Sequence, residues 1–452
     1  MRETFNRYRT LFVGTLVQES FLSLGGTDDP FTTVDSPFCR DGLGRPTLRG
    51  TGLAGALIAT LRRLNNEDVS EKISGSAQGK HASVWRFFNS HPNNEVTFAD
   101  RQHVAIDHET GAAAEGPLFN AETLPPGTKW PFLLEVDTTD DHDNNFADLA
   151  RATLAQWVAG RCLLGREVAR GMGWMRLDDL KEYTLTTAHI DDWPNAKVSQ
   201  DYPAYLAQFA KDQQLKPEPV PAATETLPGW CEYTLTLSAG ERSDGYGIDS
   251  LSIGGHASEE LAAAWDEAFL APDGMTEAAA KAAFDPDFAV VTLDQDGKRI
   301  PYIPGSSLRG PLRHTLARLL KAGNKPDDSM ISLFGTTKQS AKLLIRDAFL
   351  VEDQDKSLQI AWFQHHAEDE FAGGAYASSK FDRMAVLQGS FSCNVVIEDA
   401  TSEEKIAFNE LLELARQGQL GIGGGQWRGH GWLSWVISAP VEPCQQKETI
   451  HE

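Results

Sequence analysis

The stretch RIPYIPGSSLRGPLRHTLARLL, residues 299–320, joins a glycine-serine loop to an amphipathic, arginine-rich run, and a related stretch, GRPTLRGTGLAGALIATLRRLN, occupies residues 44–65. The two stretches align without a gap, and identical residues mark the start and one face of each run. These identical pairs include Pro46 and Pro301, Gly50 and Gly305, Leu53 and Leu308, and Leu61 and Leu316. Leucines that recur every three to four residues predict a helix in each stretch.

Two further blocks recur in the same order. Residues 103–130, which begin with His103, align without a gap with residues 365–392, which begin with His365. The pattern Arg-Gly-x-Gly-Trp starts at Arg170 and again at Arg428. Blocks that repeat in a constant order indicate that the chain contains two copies of one domain.

Each copy alternates strand-like and helix-like segments in the order strand–helix–strand–strand–helix–strand. This order is that of a ferredoxin-like, RRM-type sandwich. We therefore predict an α+β protein with two tandem domains, residues 1–212 and 231–441, joined by a Pro-rich linker, residues 213–230. Copy two also contains an Ala/Glu-rich stretch at about 256–288, which predicts a helical insertion, and residues 442–452 form a tail.

The composition is that of a globular protein, since 41% of the 452 residues are hydrophobic and 23% are charged. No apolar run approaches the roughly 20 residues that a membrane span requires, and the N-terminus lacks a signal-peptide pattern. The five cysteines are scattered without a CxxC pair, which favours free thiols in a cytoplasmic protein. The net charge of −23 argues against non-specific polyanion binding, although arginines cluster around both helix starts.

Two kinds of loop carry candidate binding chemistry. At PGSSLRG, the N–H groups of a helix start, together with Ser306, Ser307 and Arg309, form a candidate anion site, and the alternative is an ordinary helix cap. The glycine-rich loop GIGGGQWRGHGW follows a helix and precedes a strand, the reverse of the dinucleotide-binding order. Its Trp427 and Arg428 are candidates for contacts to a base or a phosphate.

Together these motifs resemble the RAMP superfamily of CRISPR-associated proteins, and most closely the backbone subunits of type III effector complexes. Residues 34–50, VDSPFCRDGLGRPTLRG, resemble the family segment IDSPVxRD…PxxPGSSLKG. Residues 332–349 resemble its LFG…GRLxFxDA segment, and residues 103–119 resemble its thumb hairpin. Two such domains in one chain are similar to the fused backbone subunits of type III-D systems.

The resemblance implies a protein whose partners are crRNA, target RNA and other effector-complex subunits, with no membrane. Residues of the helix starts and glycine loops would contact the crRNA backbone: Arg49, Gly50, Arg170, Gly171, Gly173, Ser306, Ser307, Arg309, Arg428, Gly429 and Gly431. Two extended thumb hairpins, at about residues 103–127 and 365–389, would insert into the guide–target duplex. Their candidate residues are His103, Leu118, Phe119, His365 and Phe381.

The resemblance also implies metal-dependent endoribonuclease activity. An aspartate in the DSP loop, Asp35 here, would hold Mg²⁺ or another divalent cation near the scissile phosphate. The alternative for Asp35 is an Asx turn without catalysis. A constant offset places Val290 opposite Asp35, so that register lacks the carboxylate. Ile248-Asp249-Ser250 resembles VDS and lies a similar distance after the first strand of its copy, with the insertion following it. We therefore assign the second catalytic and metal-binding residue to Asp249, with Asp244 and Asp287 as weaker candidates.

Two other functions stay open on the sequence. One is a scaffold that binds crRNA without cutting, in which case Asp-to-Ala changes leave cleavage unaffected. The other is an enzyme of the same superfamily that processes repeat RNA without a metal, through a histidine such as His103, His365 or His430. Activity of that enzyme would survive EDTA.

Overall fold

The chain divides into two compact units. The computed structural model describes residues 7–26, 34–65, 71–75, 82–106, 113–138, 145–186, 189, 209–240, 249–254, 269–271, 274–276, 278–279, 287–295, 298–351, 357–368, 371, 373–374 and 380–441. Unit 1 comprises Met1–Val168, Met172–Pro228 and Pro443–Glu452, and unit 2 comprises Ala169–Gly171 and Gly229–Glu442.

Unit 1 contains a mixed set of long and short elements. Its strands are β1 (Arg7–Gln18), β2 (Trp85–Phe87), β3 (Ala99–Ile106), β4 (Ala113–Thr123), β5 (Lys129–Asp137), β6 (Cys162–Leu163), β7 (Trp174–Thr186) and β8 (Glu218–Pro219). Its helices are α1 (Gly50–Asn65), α2 (Glu71–Ser74) and α3 (Phe146–Val158).

The main sheet of unit 1 has the strand order β2-β5-β1-β7-β6, and all of these pairings are antiparallel. With α1 after β1 and α3 after β5, this order is that of a ferredoxin-like fold, as predicted. The apolar stripe of α1 is buried against the sheet, and Phe132 of β5 meets Trp157 of α3 with ring centroids 5.8 Å apart. Trp157 also donates from Nε1 to Thr60 Oγ1 of α1 at 3.1 Å, so both helices share one core on the same face of the sheet.

Unit 2 repeats the arrangement. Its strands are β9 (Trp230–Ala239), β10 (Phe269–Leu270), β11 (Thr292–Gln295), β12 (Lys298–Ile303), β13 (Leu343–Ile345), β14 (Ala348–Leu350), β15 (Gln359–His365), β16 (Phe381–Glu398) and β17 (Ser434–Ile437). Its helices are α4 (Gly305–Ala322), α5 (Asp328–Phe334) and α6 (Ser402–Arg416). The pairings β13–β16, β16–β9 and β9–β17 reproduce the central order of unit 1.

Equivalent backbone contacts confirm the duplication. Helix α1 begins at Gly50, whose N–H donates to Asn89 Oδ1 at 2.9 Å. Helix α4 begins at Gly305, whose N–H donates to Asp347 Oδ1 at 2.7 Å. The gap-free alignment of the two helix starts is therefore correct in three dimensions.

Both repeats also contain an antiparallel hairpin where the thumbs were expected. His103 pairs with Phe119 across β3 and β4, and His365 pairs with Phe381 across β15 and β16. The prediction that the segments 103–127 and 365–389 form extended hairpins is confirmed for the residues that the structure describes. The side chains of His103, Leu118 and Phe119 lie outside that description.

The Pro-rich segment between the copies packs on unit 1. Strand β8 pairs with β7, Val220 is buried, and the N–H of Ala223 donates to the carbonyl of Ala155 at 2.9 Å. Residues 213–228 are therefore part of unit 1, whereas the sequence indicated a free linker. Its backbone groups are paired because a strand neighbour is within reach.

Other predicted features are only partly covered. Most of the insertion at 256–288, Asp244 and the tail 442–452 lie outside the described residues. Cys39, Cys162, Cys231 and Cys393 are buried free thiols. Within the described part of the chain, no helix is both long and apolar enough to cross a membrane.

Candidate nucleic-acid interface

The start of helix α4 already holds an anion of the protein itself. Asp347 is 1% exposed, and its carboxylate accepts the N–H of Gly305 in the first turn. The same turn carries Ser306 and Ser307, which are half-buried. A carboxylate at a helix N-terminus satisfies the positive end of the helix dipole. In the first copy the neutral amide of Asn89 takes this place.

The side chain of Arg309 is turned into unit 2. Its guanidinium donates to the carbonyls of Ala169 and Leu343 at 3.4 and 3.3 Å, and to that of Phe334. Burial, together with the neighbouring Arg170 and Arg313, lowers the pKa of Arg309 to about 10. The guanidinium of Arg309 therefore directs its N–H donors to backbone carbonyls, and few donors remain for a phosphate.

Other predicted contact residues are more accessible. Arg49, Arg170 and Arg428 are exposed, whereas Gly50 is buried at the start of α1. Arg170 and Arg428 each end a 3₁₀ turn, Val168–Arg170 and Gln426–Arg428.

The glycine loops serve close backbone packing. A Cβ at Gly173 would lie 1.9 Å from the carbonyl oxygen of Leu164, and one at Gly431 would lie 2.0 Å from that of Ile422. Both glycines have positive φ, 76° and 88°. Gly429 also has a positive φ, 80°, but no atom lies within 4 Å of a Cβ placed there. The loops therefore need glycine at Gly173 and Gly431 for packing.

Asp35 is exposed at the entrance to the first hairpin. Its Oδ2 accepts the backbone N–H of Asn120, the residue after Phe119, at 3.0 Å. The following residue, Ser36, pairs with Ala121 in a parallel bridge. These contacts fix the DSP loop against β4 and leave the carboxylate open to solvent.

The rest of the DSP motif is structural. Arg40 forms a two-point ion pair with Glu122, at 2.6 and 2.7 Å, and Glu122 also accepts the N–H of Phe38 at 2.8 Å. Burial raises the pKa of Glu122, but the hydrogen bonds from Arg40 and Phe38 outweigh it and keep this pKa below its usual value. The motif thus anchors the loop that carries Asp35.

In the second repeat, Asp287 occupies the place of Asp35. Its Oδ2 accepts the backbone N–H of Asp382, the residue after Phe381, at 2.8 Å. Phe288 then forms a parallel bridge with Arg383, as Ser36 does with Ala121 in the first repeat. Asp287 is exposed, like Asp35.

Asp249 occupies a different place. The residue after it is Ser250, whose backbone carbonyl accepts the N–H of Gly431 at 2.7 Å. In the first repeat, the backbone carbonyl of Phe21 accepts the N–H of Gly173 at the same distance. Asp249 is therefore the counterpart of Ser20, and only 1% of it is exposed. By position in the structure, Asp287 and not Asp249 is the counterpart of Asp35. The insertion therefore lies before the loop that corresponds to DSP, whereas the sequence indicated a place after that loop.

The donor set for a divalent cation is small. Among the described residues, no three His, Cys, Asp or Glu side chains gather as a metal site. At the equivalent place beside each hairpin, the described residues instead present an exposed carboxylate, Asp35 in one repeat and Asp287 in the other. Mg²⁺ commonly keeps several waters and binds one or two carboxylates plus substrate phosphates, so a single open carboxylate fits a cation that the RNA helps to hold.

Four basic side chains of unit 2 meet at the last pair of β15 and β16, and we call them the basic cluster: His365, Arg383, Arg428 and His430. The ring centroids of His365 and His430 lie 5.7 Å apart. The guanidinium of Arg428 lies 4.6 Å from the centroid of the Phe381 ring. Sequence reasoning missed Arg383, although it lies only two residues after the thumb candidate Phe381.

His430 is held neutral. It is 2% exposed, and burial, followed by His365, Arg383 and Arg428, lowers the pKa of His430 to about 4. Burial, followed by Arg428 and Arg383, also lowers the pKa of His365, and Asp382 opposes this effect. The cluster therefore offers neutral imidazoles beside charged guanidinium groups at pH 7.

This pKa shift predicts a pH dependence of stability. Because the pKa of His430 is lower in the folded state, its contribution is complete above pH 6.5 and is lost as the pH falls towards 4. Between pH 7 and pH 5 the loss for unit 2 is about 2 kcal/mol. Hydrogen exchange of β9 amides at both pH values measures it, and His430→Gln should show a correspondingly smaller pH dependence. An equal pH dependence in both proteins would contradict the prediction.

The comparisons with known proteins agree with this duplication. The model of the RAMP superfamily matches residues 24–176 and again residues 282–434. No curated protein matches the chain. The two matches together span more than half of the chain, and each contains a helix start, a hairpin and a glycine loop as described above. The chain therefore belongs to the RAMP superfamily, as a two-domain member with a CRISPR-associated role in RNA binding.

Proposed function

We propose that this chain is a crRNA-binding backbone subunit of a type III effector complex and that it cuts guide-paired target RNA at two positions. The observation that carries the proposal is the equivalence of Asp35 and Asp287. Each is exposed, and each is fixed by the backbone N–H that follows the hairpin phenylalanine. Two carboxylates in equivalent places, one beside each hairpin, would suit cleavage of one RNA strand at two positions.

The binding part of the proposal rests on the hairpins and on the exposed arginines. Arg49, Arg170 and Arg428 are open to solvent on a chain whose net charge is −23. A guide must be held whatever its sequence, so contacts to phosphate and sugar are expected to dominate. Because the protein is acidic overall, contacts to RNA phosphates are expected only where these arginines are exposed.

The cutting part rests on how the chain presents its carboxylates. The N–H of Asn120 holds one oxygen of Asp35, and the N–H of Asp382 holds one oxygen of Asp287, so each side chain has a defined direction. The Arg40–Glu122 pair secures the loop of Asp35 against strand movement. A divalent cation bound there would supply charge stabilisation at the phosphate.

Co-purification tests the proposal. The chain is expressed together with its operon neighbours, and the bound RNA is extracted and sequenced. We expect RNA of discrete length that shares one constant end, retained in the double variant Asp35→Ala/Asp287→Ala. Absence of RNA, or a random sample of cellular RNA, would contradict the binding function. If RNA is retained but the wild-type complex leaves a complementary target intact, the chain is a scaffold that does not cut.

Exposed arginines should set the salt dependence of retention. Arg428→Ala removes one guanidinium from the surface, so the slope of log K against log salt should fall by about 0.7 for a single strand. Arg309→Ala should instead lower stability, since it removes donors to three carbonyls. Filter binding at several salt concentrations and thermal unfolding separate the two effects. An unchanged slope for Arg428→Ala would contradict this contact.

A further inference from the structure

The basic cluster is specific to the second repeat. The glycine loops superimpose through Gly173 and Gly431, so Met172 stands where unit 2 has His430. The bridges beside the hairpins likewise place Ala121 opposite Arg383. The loop position of Trp427 is filled by alanine in the first copy, Ala169. Unit 2 thus carries polar and aromatic groups that packing of the shared fold does not require.

His430 presents a buried donor that the described protein does not use. Its Nδ1 lies 2.5 Å from Ser250 Oγ, and this is the sole partner found for that hydroxyl among the described residues. Both groups are satisfied if the hydroxyl donates to Nδ1, and the ring proton then resides on Nε2. Nε2 is buried and has no hydrogen-bond partner in the described residues. A buried N–H in this state costs free energy unless a ligand or water accepts from it.

Two further nitrogens of the basic cluster are unpaired in the part of the chain that the structure describes. Nε2 of His365 and Nε of Arg383 are also buried without a partner among the described residues. Another nitrogen of Arg383, Nη1, donates to Ser252 Oγ at 2.9 Å, which fixes the guanidinium. Arg428 covers the ring of Phe381 next to them. Two carboxylates lie nearby: Asp382 acts on His365, and Asp287 accepts the backbone N–H of Asp382. They balance the charge of the two guanidinium groups, so the unpaired nitrogens are the feature that favours an anionic ligand.

Trp427 adds an aromatic surface. It immediately precedes Arg428 in the 3₁₀ turn and is 100% exposed. Stacking on a base is one common use of an exposed aromatic ring. At Gly429, on the other side of Arg428, a Cβ would meet no atom within 4 Å, so the surface after the turn is open.

We propose that the second repeat holds a single unpaired nucleotide of bound RNA, with its base on Trp427 and its phosphate on the basic cluster. The inference rests on the proposed RNA-binding function and deepens it, because the first repeat lacks the site. RNA is favoured over a protein partner because the turn that carries the exposed ring also carries Arg428, a member of a cluster with unpaired buried nitrogens. The phosphate is either internal to the strand or a 5′ end group, which have the same recognition chemistry.

The test uses the full-length chain and short fluorescent oligouridylates, one with a 5′-hydroxyl and one with a 5′-phosphate. Anisotropy should show that Trp427→Ala weakens binding by about 5- to 100-fold, the range of one lost base stack, and that Trp427→Phe restores most of it. Arg383→Gln should weaken binding and reduce its salt dependence. A gain for the 5′-phosphate that Arg383→Gln abolishes identifies an end-group site, and equal affinity for both oligonucleotides identifies an internal phosphate.

Controls separate this site from the general RNA surface. Ile406→Ala removes an exposed apolar side chain, 58% exposed, from helix α6, to which no RNA contact is assigned, and should leave affinity unchanged. If the wild-type chain binds RNA and the Trp427→Ala variant binds it equally tightly, the nucleotide site is overturned but the proposed function is not. Loss of subunit assembly in Trp427→Ala, without loss of RNA affinity, also overturns it and marks a protein contact instead. Absence of RNA binding by the wild-type chain and complex would overturn the proposed function as well.

Discussion

Asp35→Ala and Asp287→Ala are each expected to remove one of two cuts in a bound target RNA, while guide retention and target affinity stay near wild type. Both carboxylates are exposed, and neither supports the core. A cation held beside a phosphate stabilises transition-state charge by several kcal/mol, so its loss should slow each cut about 10³-fold or more. EDTA should stop both cuts, and added Mg²⁺ should restore them.

The measurement is cleavage of an end-labelled, guide-complementary RNA by the reconstituted complex, with binding measured separately on the same samples. Asp249→Ala is the matched control for the register. Because Asp249 is buried and lies at the place of Ser20, its loss should leave both cut positions in place, whatever it does to stability. If Asp249→Ala abolishes the second cut in a folded complex and Asp287→Ala does not, the structural register is not the catalytic one. Cutting at both positions by the Asp35→Ala/Asp287→Ala complex would leave the scaffold function.

Gly431→Ala is expected to have the largest effect on stability. The φ of Gly431 is 88°, and an added Cβ would lie 2.0 Å from the carbonyl oxygen of Ile422, which is backbone and cannot turn away. Left-handed strain alone costs about 1 kcal/mol or more, and the clash adds to it, so we expect a loss of about 3 kcal/mol or more in unit 2. Hydrogen exchange of β9 amides reports this unit separately.

Gly429→Ala provides the matched control. Its φ of 80° imposes the same kind of strain, but no atom lies within 4 Å of the added Cβ. A loss of about 1 kcal/mol is expected there. Equal losses for the two variants would show that the close approach to Ile422 is not what fixes the loop. Gly173→Ala should repeat the larger effect in unit 1, since its Cβ would lie 1.9 Å from Leu164 O.

The sequence by itself determined the duplication, the helix start at the PGSSLRG-like loop of each copy, and the two hairpins. These features depend on local periodicity and on short spacings, which survive when residues are inserted elsewhere. The pairing of His103 with Phe119 and of His365 with Phe381 shows that the alignment of the hairpin blocks was correct to the residue. The glycine pattern was also informative, because only glycine tolerates the backbone contact at Gly173 and Gly431.

Only the tertiary structure decided which polar side chains are available. Arg309 and Asp347 stand in motif-like positions, but their partners lie tens of residues away and turn them into the protein. The place equivalent to Asp35 holds Asp287 and not Asp249, because the insertion precedes this loop and shifts its register relative to the sequence. The contact between Ser250 and His430 joins residues 180 apart. Such contacts form only when segments distant in the sequence fold together, and no local sequence pattern encodes them.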